Sequence, residues 1–113
     1  MANTFKLKTD TAVGTSLATI YTVPGSTTTV MIGAVLANIT AAQVKADLQI
    51  VTAATSGENG DDVYIVKNLP IPDGASFEVV EGKIVLQTGD IVKVKSDTAS
   101  SLDVALSVLE QGP

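Results

Sequence analysis

The chain has 113 residues and a formal charge of -5, with twelve acidic residues against seven basic ones, all lysine, and no histidine. An acidic chain without arginine is a poor match for nucleic acid, since arginine supplies the commonest bidentate contacts and the phosphate backbone repels carboxylates. Without cysteine there is no disulfide framework and no thiolate zinc site, and this length forms one domain over 1–113.

The opening MANTFKLKTD has no apolar stretch behind its lysines, so it does not read as a secretory signal. Thr4 to Lys8 alternates, with Phe5 and Leu7 on one side and Lys6 and Lys8 on the other. That is a half-buried strand, or part of an extended arm over 1–13 that becomes a strand on meeting a neighbour. Thr9 to Ser16 is polar and reads as a loop. Leu17 to Val23 is a β-branched and aromatic strand. It ends at Pro24-Gly25, a pair suited to the centre of a type II turn.

Thr27 to Thr40 is apolar on both sides, with Val30, Ile32, Ala34 and Leu36 alternating against Met31, Val35, Ala37 and Ile39. A strand that shows water neither face is a covered central strand, or one whose second face packs on another subunit. Its longest apolar run, Met31 to Ala37, is too short to cross a bilayer, so a soluble, cytoplasmically made protein without a membrane partner is expected. Val44 to Ile50 alternates strictly and reads as strand, although Ala41, Ala42, Gln43, Lys45 and Ala46 are good helix formers. Ala53 to Asp62 is a loop with the hairpin pair Asn59-Gly60 at its tip, and Val63 to Leu69 is the next strand.

Pro70 to Gly74 is a break, after which four short runs follow: SFEVV, KIVLQ, IVKVKS and LDVALSVLE. In the last, Leu102, Val104, Leu106 and Val108 oppose Asp103, Ala105 and Ser107. A strand with one apolar face needs a second layer. Turns about every ten residues predict an all-β fold, a two-sheet antiparallel β-sandwich, Ig-like or jelly-roll-like, of eight to nine strands.

Catalytic chemistry has little to stand on. A hydroxyl nucleophile needs a positioned base, histidine is absent and no Ser-x-x-Lys spacing occurs. The one carboxylate cluster, Glu58-Asn59-Gly60-Asp61-Asp62, lacks the alternating ligands of a calcium loop and reads as a solvated tip. Asp90, Asp97 and Asp103 lie between strands without an evident partner, and Gly89-Asp90 fits a turn. Tyr21 and Tyr64 read as strand residues at the sheet surface, too few aromatics for a sugar site. Lys93 and Lys95 face outward opposite Val92 and Val94. No metal or cofactor is expected.

Several stretches carry a resemblance: Tyr21 to Pro24, Ala37-Asn38, VKADLQI, Tyr64 to Pro72, Gly82 to Leu86, Gly89-Asp90 and Leu106 to Glu110. Together they resemble the small virion structural proteins of tailed bacteriophages, over nearly the whole chain, through turns and core positions and no active site. The resemblance implies a non-enzymatic β-sandwich that decorates the head as a cement protein, or sits at the neck, tail or fibre. Its partners would be copies of itself, as a trimer, and other virion proteins such as the major capsid protein. A monomeric host-surface or glycan-binding module is the competing class. The candidate interface residues are Phe5, Leu7, Met31, Val35 and Ile39.

Overall fold

A computed structural model describes residues 3–53, 62–80 and 82–112. Nine strands form, and no helix is found among the described residues: β1 (Asn3–Val13), β2 (Ala18–Thr22), β3 (Thr28–Asn38), β4 (Val44–Val51), β5 (Val63–Ile71), β6 (Ser76–Glu78), β7 (Ile84–Leu86), β8 (Ile91–Ser96) and β9 (Leu102–Gln111). One sheet has the order β1-β9-β3-β6, with β7 also on β3, and the other has the order β2-β8-β4-β5; all pairs are antiparallel. If β6 and β7 count as one interrupted strand, this is the interleaved eight-strand order of a jelly roll, which decides between the two sandwich types.

The core lies between the sheets. From the first sheet come Met31, Ala34, Leu36, Leu102, Val104, Leu106 and Val108; the second supplies Val44, Ala46, Leu48, Ile50, Val92 and Val94. The alternation in β4 and β9 places these residues as the sequence indicates, and the helix formers at Ala41 and Ala42 lie in a bend. Other readings need correction. Residues 9–13 continue β1 and are no loop, because Thr9 and Asp10 pair with Ala105 and Val104. Of the expected arm, Asn3 to Val13 is a strand hydrogen-bonded to its own chain's β9. Strand β5 runs through Pro70 to Ile71, tolerable because β5 lies at an edge.

The chain after β2 does not form the type II turn. That turn needs positive φ at Gly25, whereas Ser26 takes it (54°) and the chain crosses to the other sheet. At Gly89 the backbone is left-handed (φ 88°), and an added Cβ would lie 2.8 Å from Ala53 Cβ. Gly89→Ala is expected to cost about 1–3 kcal/mol in denaturant unfolding; an unchanged midpoint would show that this corner can relax. The tip holding Asn59-Gly60 lies outside the described residues, as do Glu58 and Asp61.

The four sheet edges differ. Strand β2 is short and bulged at Ile20, β5 carries Pro70 and a kink at Asn68 (φ 54°), and the β6/β7 edge is two three-residue pieces. Strand β1 pairs without interruption from Asn3 to Asp10 before its bulge near Ala12.

Candidate interaction surface

The outer faces of the two sheets have opposite characters. On the second sheet the outward positions include Lys45, Asp47, Gln49, Lys93 and Lys95. Asp47 is buried, with Lys67 Nζ at 3.2 Å and Lys95 Nζ at 3.9 Å from Oδ2. Its Oδ1 accepts from the backbone N–H of Asn68 at 2.7 Å, holding the kink in β5. The hydrogen bond to Asp47 raises the Lys67 ammonium above the ordinary lysine value, and the same ammonium lies 4.5 Å over the Tyr64 ring. The buried carboxylate of Asp47 thus has Lys67, Lys95 and a backbone N–H as structural partners, so this reads as a solvated face stabilised by local pairs.

The carboxylates at turns and strand ends have similar work, and Asp103 lies within β9 rather than between strands. Buried Asp90 accepts from the N–H groups of Ala53 (3.0 Å) and Gln87 (2.9 Å). Asp97 accepts from the Lys45 N–H and from Thr98 Oγ1, which hold its carboxyl below the usual carboxylate range. Asp103 accepts from Thr11 Oγ1 and the Ala12 N–H at the β1 bulge, and Asp62 accepts from the Thr52 N–H. Among the described residues, no three histidine, cysteine, aspartate or glutamate side chains gather where a metal ion could bind.

At one end of the core a polar cluster joins the sheets. The Tyr21 hydroxyl donates to Glu110 Oε2 at 2.5 Å and lies 2.8 Å from Thr29 Oγ1, while Lys6 Nζ is 2.9 Å from Glu110 Oε1. Tyr21 is thus buried rather than at the surface, because its hydroxyl finds partners inside. Burial, then the Glu110 carboxylate, push the Tyr21 hydroxyl up from 10.0 to about 12. Spectrophotometric titration of Tyr64→Phe, which leaves Tyr21 as the one tyrosine, should give a midpoint near 12. Because the folded value is raised, the associated stability is complete below about 10 and is lost as pH rises through about 12. A midpoint at 10 would remove the hydroxyl from this cluster.

The outer face of the first sheet is apolar. Across β1, β9 and β3 the outward positions in register are Phe5, Leu109 and Val30, then Leu7, Ser107 and Gly33, then Thr9, Ala105 and Val35. Val85 of β7 continues the first row beside Val30. Phe5 is 74 % exposed, Leu7 64 % and Val85 62 %, whereas antiparallel sheets ordinarily turn polar residues outward. The glutamate on this side, Glu78, bends over Gly33 and accepts from the Ala34 N–H at 2.6 Å. The face is also uneven. A hollow of about 440 Å³ lies over Val35, Ala37 and Ala105, walled by Thr9, Thr11 and Asp103, and another of about 320 Å³ lies between Leu7, Ile32 and Ser107.

Of the residues singled out in the sequence, Phe5, Leu7 and Val35 share this face, and exposed Ile39 follows β3 at its far end. Met31 does not belong with them. It is fully buried in the core, because β3 carries an extra residue between Met31 and Gly33, opposite Val108 and Ser107. The bulge reverses the alternation: Thr29 and Met31 face inward before it, Ala34, Leu36 and Asn38 after it. The sequence pattern does not place Val85 or Ile32 on this face, whereas it does put Ala37 beside Val35 and turns Ala105 away from the core, as the register shows.

The fold and face together define a jelly-roll sandwich with one polar and one apolar outer side. No protein-family profile and no curated protein matches the chain. Among solved structures it is similar in fold to a chain from work described as "Bacillus endospore appendages form a novel family of disulfide-linked pili". The TM-score is 0.51 at 14 % identity, over 98 % of this chain and 87 % of that one.

Proposed function

We propose that this chain is a non-enzymatic structural subunit of a tailed-bacteriophage virion, a head decoration or cement protein that strengthens the particle through protein–protein contact. The observation that carries the reading is the apolar outer face of β1, β9, β3 and β7, with Phe5, Leu7 and Val85 all more than half exposed. Apolar patches of this kind mark contact surfaces. The placement on a virion follows from the sequence resemblance. Its partners are copies of itself and the major capsid protein, and its location is the particle, after synthesis in the host cytoplasm. Cryo-EM of virions from the phage encoding the chain is the test. Expected is multicopy density on the head with the Phe5–Leu7 face turned toward a neighbour; absence from purified virions, or that face pointing to solvent, overturns it.

A filament subunit is the second reading, favoured by the fold similarity to the pilus-associated chain. A chain without cysteine could not be disulfide-linked as those pili are, so its contacts would be non-covalent. Fibrous assemblies of purified protein would favour this reading over the capsid one.

A further inference from the structure

We propose that the outer face of the β1-β9-β3 sheet is self-complementary, its partner being the same face of a second copy related by a two-fold axis. The axis lies in the contact plane and crosses the strands obliquely. This rests on the reading above, that the face is a contact surface, and names what covers it.

The shape of the face selects that symmetry. At one end stand the protruding Phe5 and Leu7; at the other lies the hollow over Val35, Ala37 and Ala105. Phe5 is opposite Leu109 and Thr9 is opposite Ala105, so protrusion and hollow are centred about 14 Å apart along the strand. A two-fold axis set obliquely across the strands broadly reverses the strand direction of the second copy, makes up the lateral step from β1 to β9 and β3, and brings each protrusion over the other copy's hollow. The contact is then made twice, as an isologous interface requires. A three-fold ring with its axis along the strands keeps all protrusions at one level and all hollows at another, and fills neither. The trimer suggested by the sequence resemblance is therefore the poorer match to this face.

Charge and size permit the same arrangement. Asp103 stands at the hollow end, with its Oδ1 already accepting from Thr11 and Ala12, and strand reversal sets the two Asp103 groups at opposite ends of the contact. The molecule measures 45 × 26 × 21 Å. Its broad side therefore has room for the roughly 800 Å² per partner of a standard stable interface.

Sedimentation velocity across a concentration series tests this with the wild type, Leu7→Gln, which shortens the protrusion's apolar reach, and Ala105→Phe, which fills the hollow. The wild type should dimerise, and each variant should weaken the dimer by about 30-fold or more while keeping its far-UV spectrum. Because the chain has no cysteine, mixing Phe5→Cys with Ala37→Cys under mild oxidation should give a cross-linked heterodimer. A trimer, a wild type monomeric throughout, or cross-linking of Phe5→Cys only to itself overturns the two-fold face contact. If the wild type is monomeric yet Leu7→Gln no longer loads onto particles, another virion protein covers the face and only this inference fails. If Leu7→Gln loads like the wild type, the contact-surface reading falls as well.

Discussion

Met31→Asp is expected to abolish folding, while Val35→Asp, four positions along the same strand, yields a folded chain that no longer associates. Met31 is fully buried between the sheets, with Val108 opposite it on β9. A carboxylate there has no cation or donor to meet it, and an unpaired buried charge costs several kcal/mol even after relaxation. Against a total stability of about 5–15 kcal/mol, that cost plus the lost packing of the thioether leaves little folded protein. Val35 faces the other way, beside Ala105 and Glu78 in register, so an aspartate there can keep its water. The loss then falls on the contact. Circular dichroism and sedimentation of both variants check this. Folded Met31→Asp with unfolded Val35→Asp would mean that the bulge at Ile32 and Gly33 is misplaced and the two faces are exchanged.

Glu110→Ala should destabilise the fold by about 2–4 kcal/mol at neutral pH. The substitution removes the acceptor of the Tyr21 hydroxyl and the partner of Lys6, leaving Thr29 alone to satisfy a buried phenol. The hydrogen bond from Tyr21, then that from Lys6, hold the Glu110 carboxyl below its ordinary value of 4.5. A depressed folded value means that the carboxylate's contribution is complete above about 4.5 and is lost as pH falls through the lower folded value. Urea unfolding should therefore show a wide gap between wild type and variant at pH 7 that narrows toward pH 3. Asp97 titrates low in both proteins and cancels in the comparison. A gap equally wide at both pH values would assign the loss to packing and not to the ionised carboxylate.

What the sequence revealed followed from periodicity. Strands β4 and β9 alternate without interruption, so their inward residues could be named from the letters alone. Strand β3 could not be read that way. Its run from Val30 to Ala37 is apolar apart from Gly33, and an extra residue in an apolar run leaves no polar position to reveal that the alternation has changed phase. Uniform alternation groups Met31 with Val35 for that reason. Residues 9–13 misled in the opposite sense: polar Thr9, Asp10 and Thr11 look like loop, yet an edge strand can carry them because both its side-chain rows are largely exposed. The sequence alone puts Tyr21 at the surface because its hydroxyl's partners, Thr29 and Glu110, are 8 and 89 residues away along the chain. The virion assignment came from resemblance alone, since a contact surface has no motif.

The uneven edges of the two sheets limit how far strand pairing could spread. Among the described strands, only β1 offers a long regular run of unpaired main-chain groups, whereas Pro70, the β2 bulge and the break between β6 and β7 obstruct the others. A subunit of this kind has a valence of one for strand addition. Once β1 has taken up a neighbour's strand, the far side of the molecule has no equivalent place for the next. Pairing through β1 is chain-terminating by construction, and misassembly through the sheet edges stops at two copies instead of growing into a fibre.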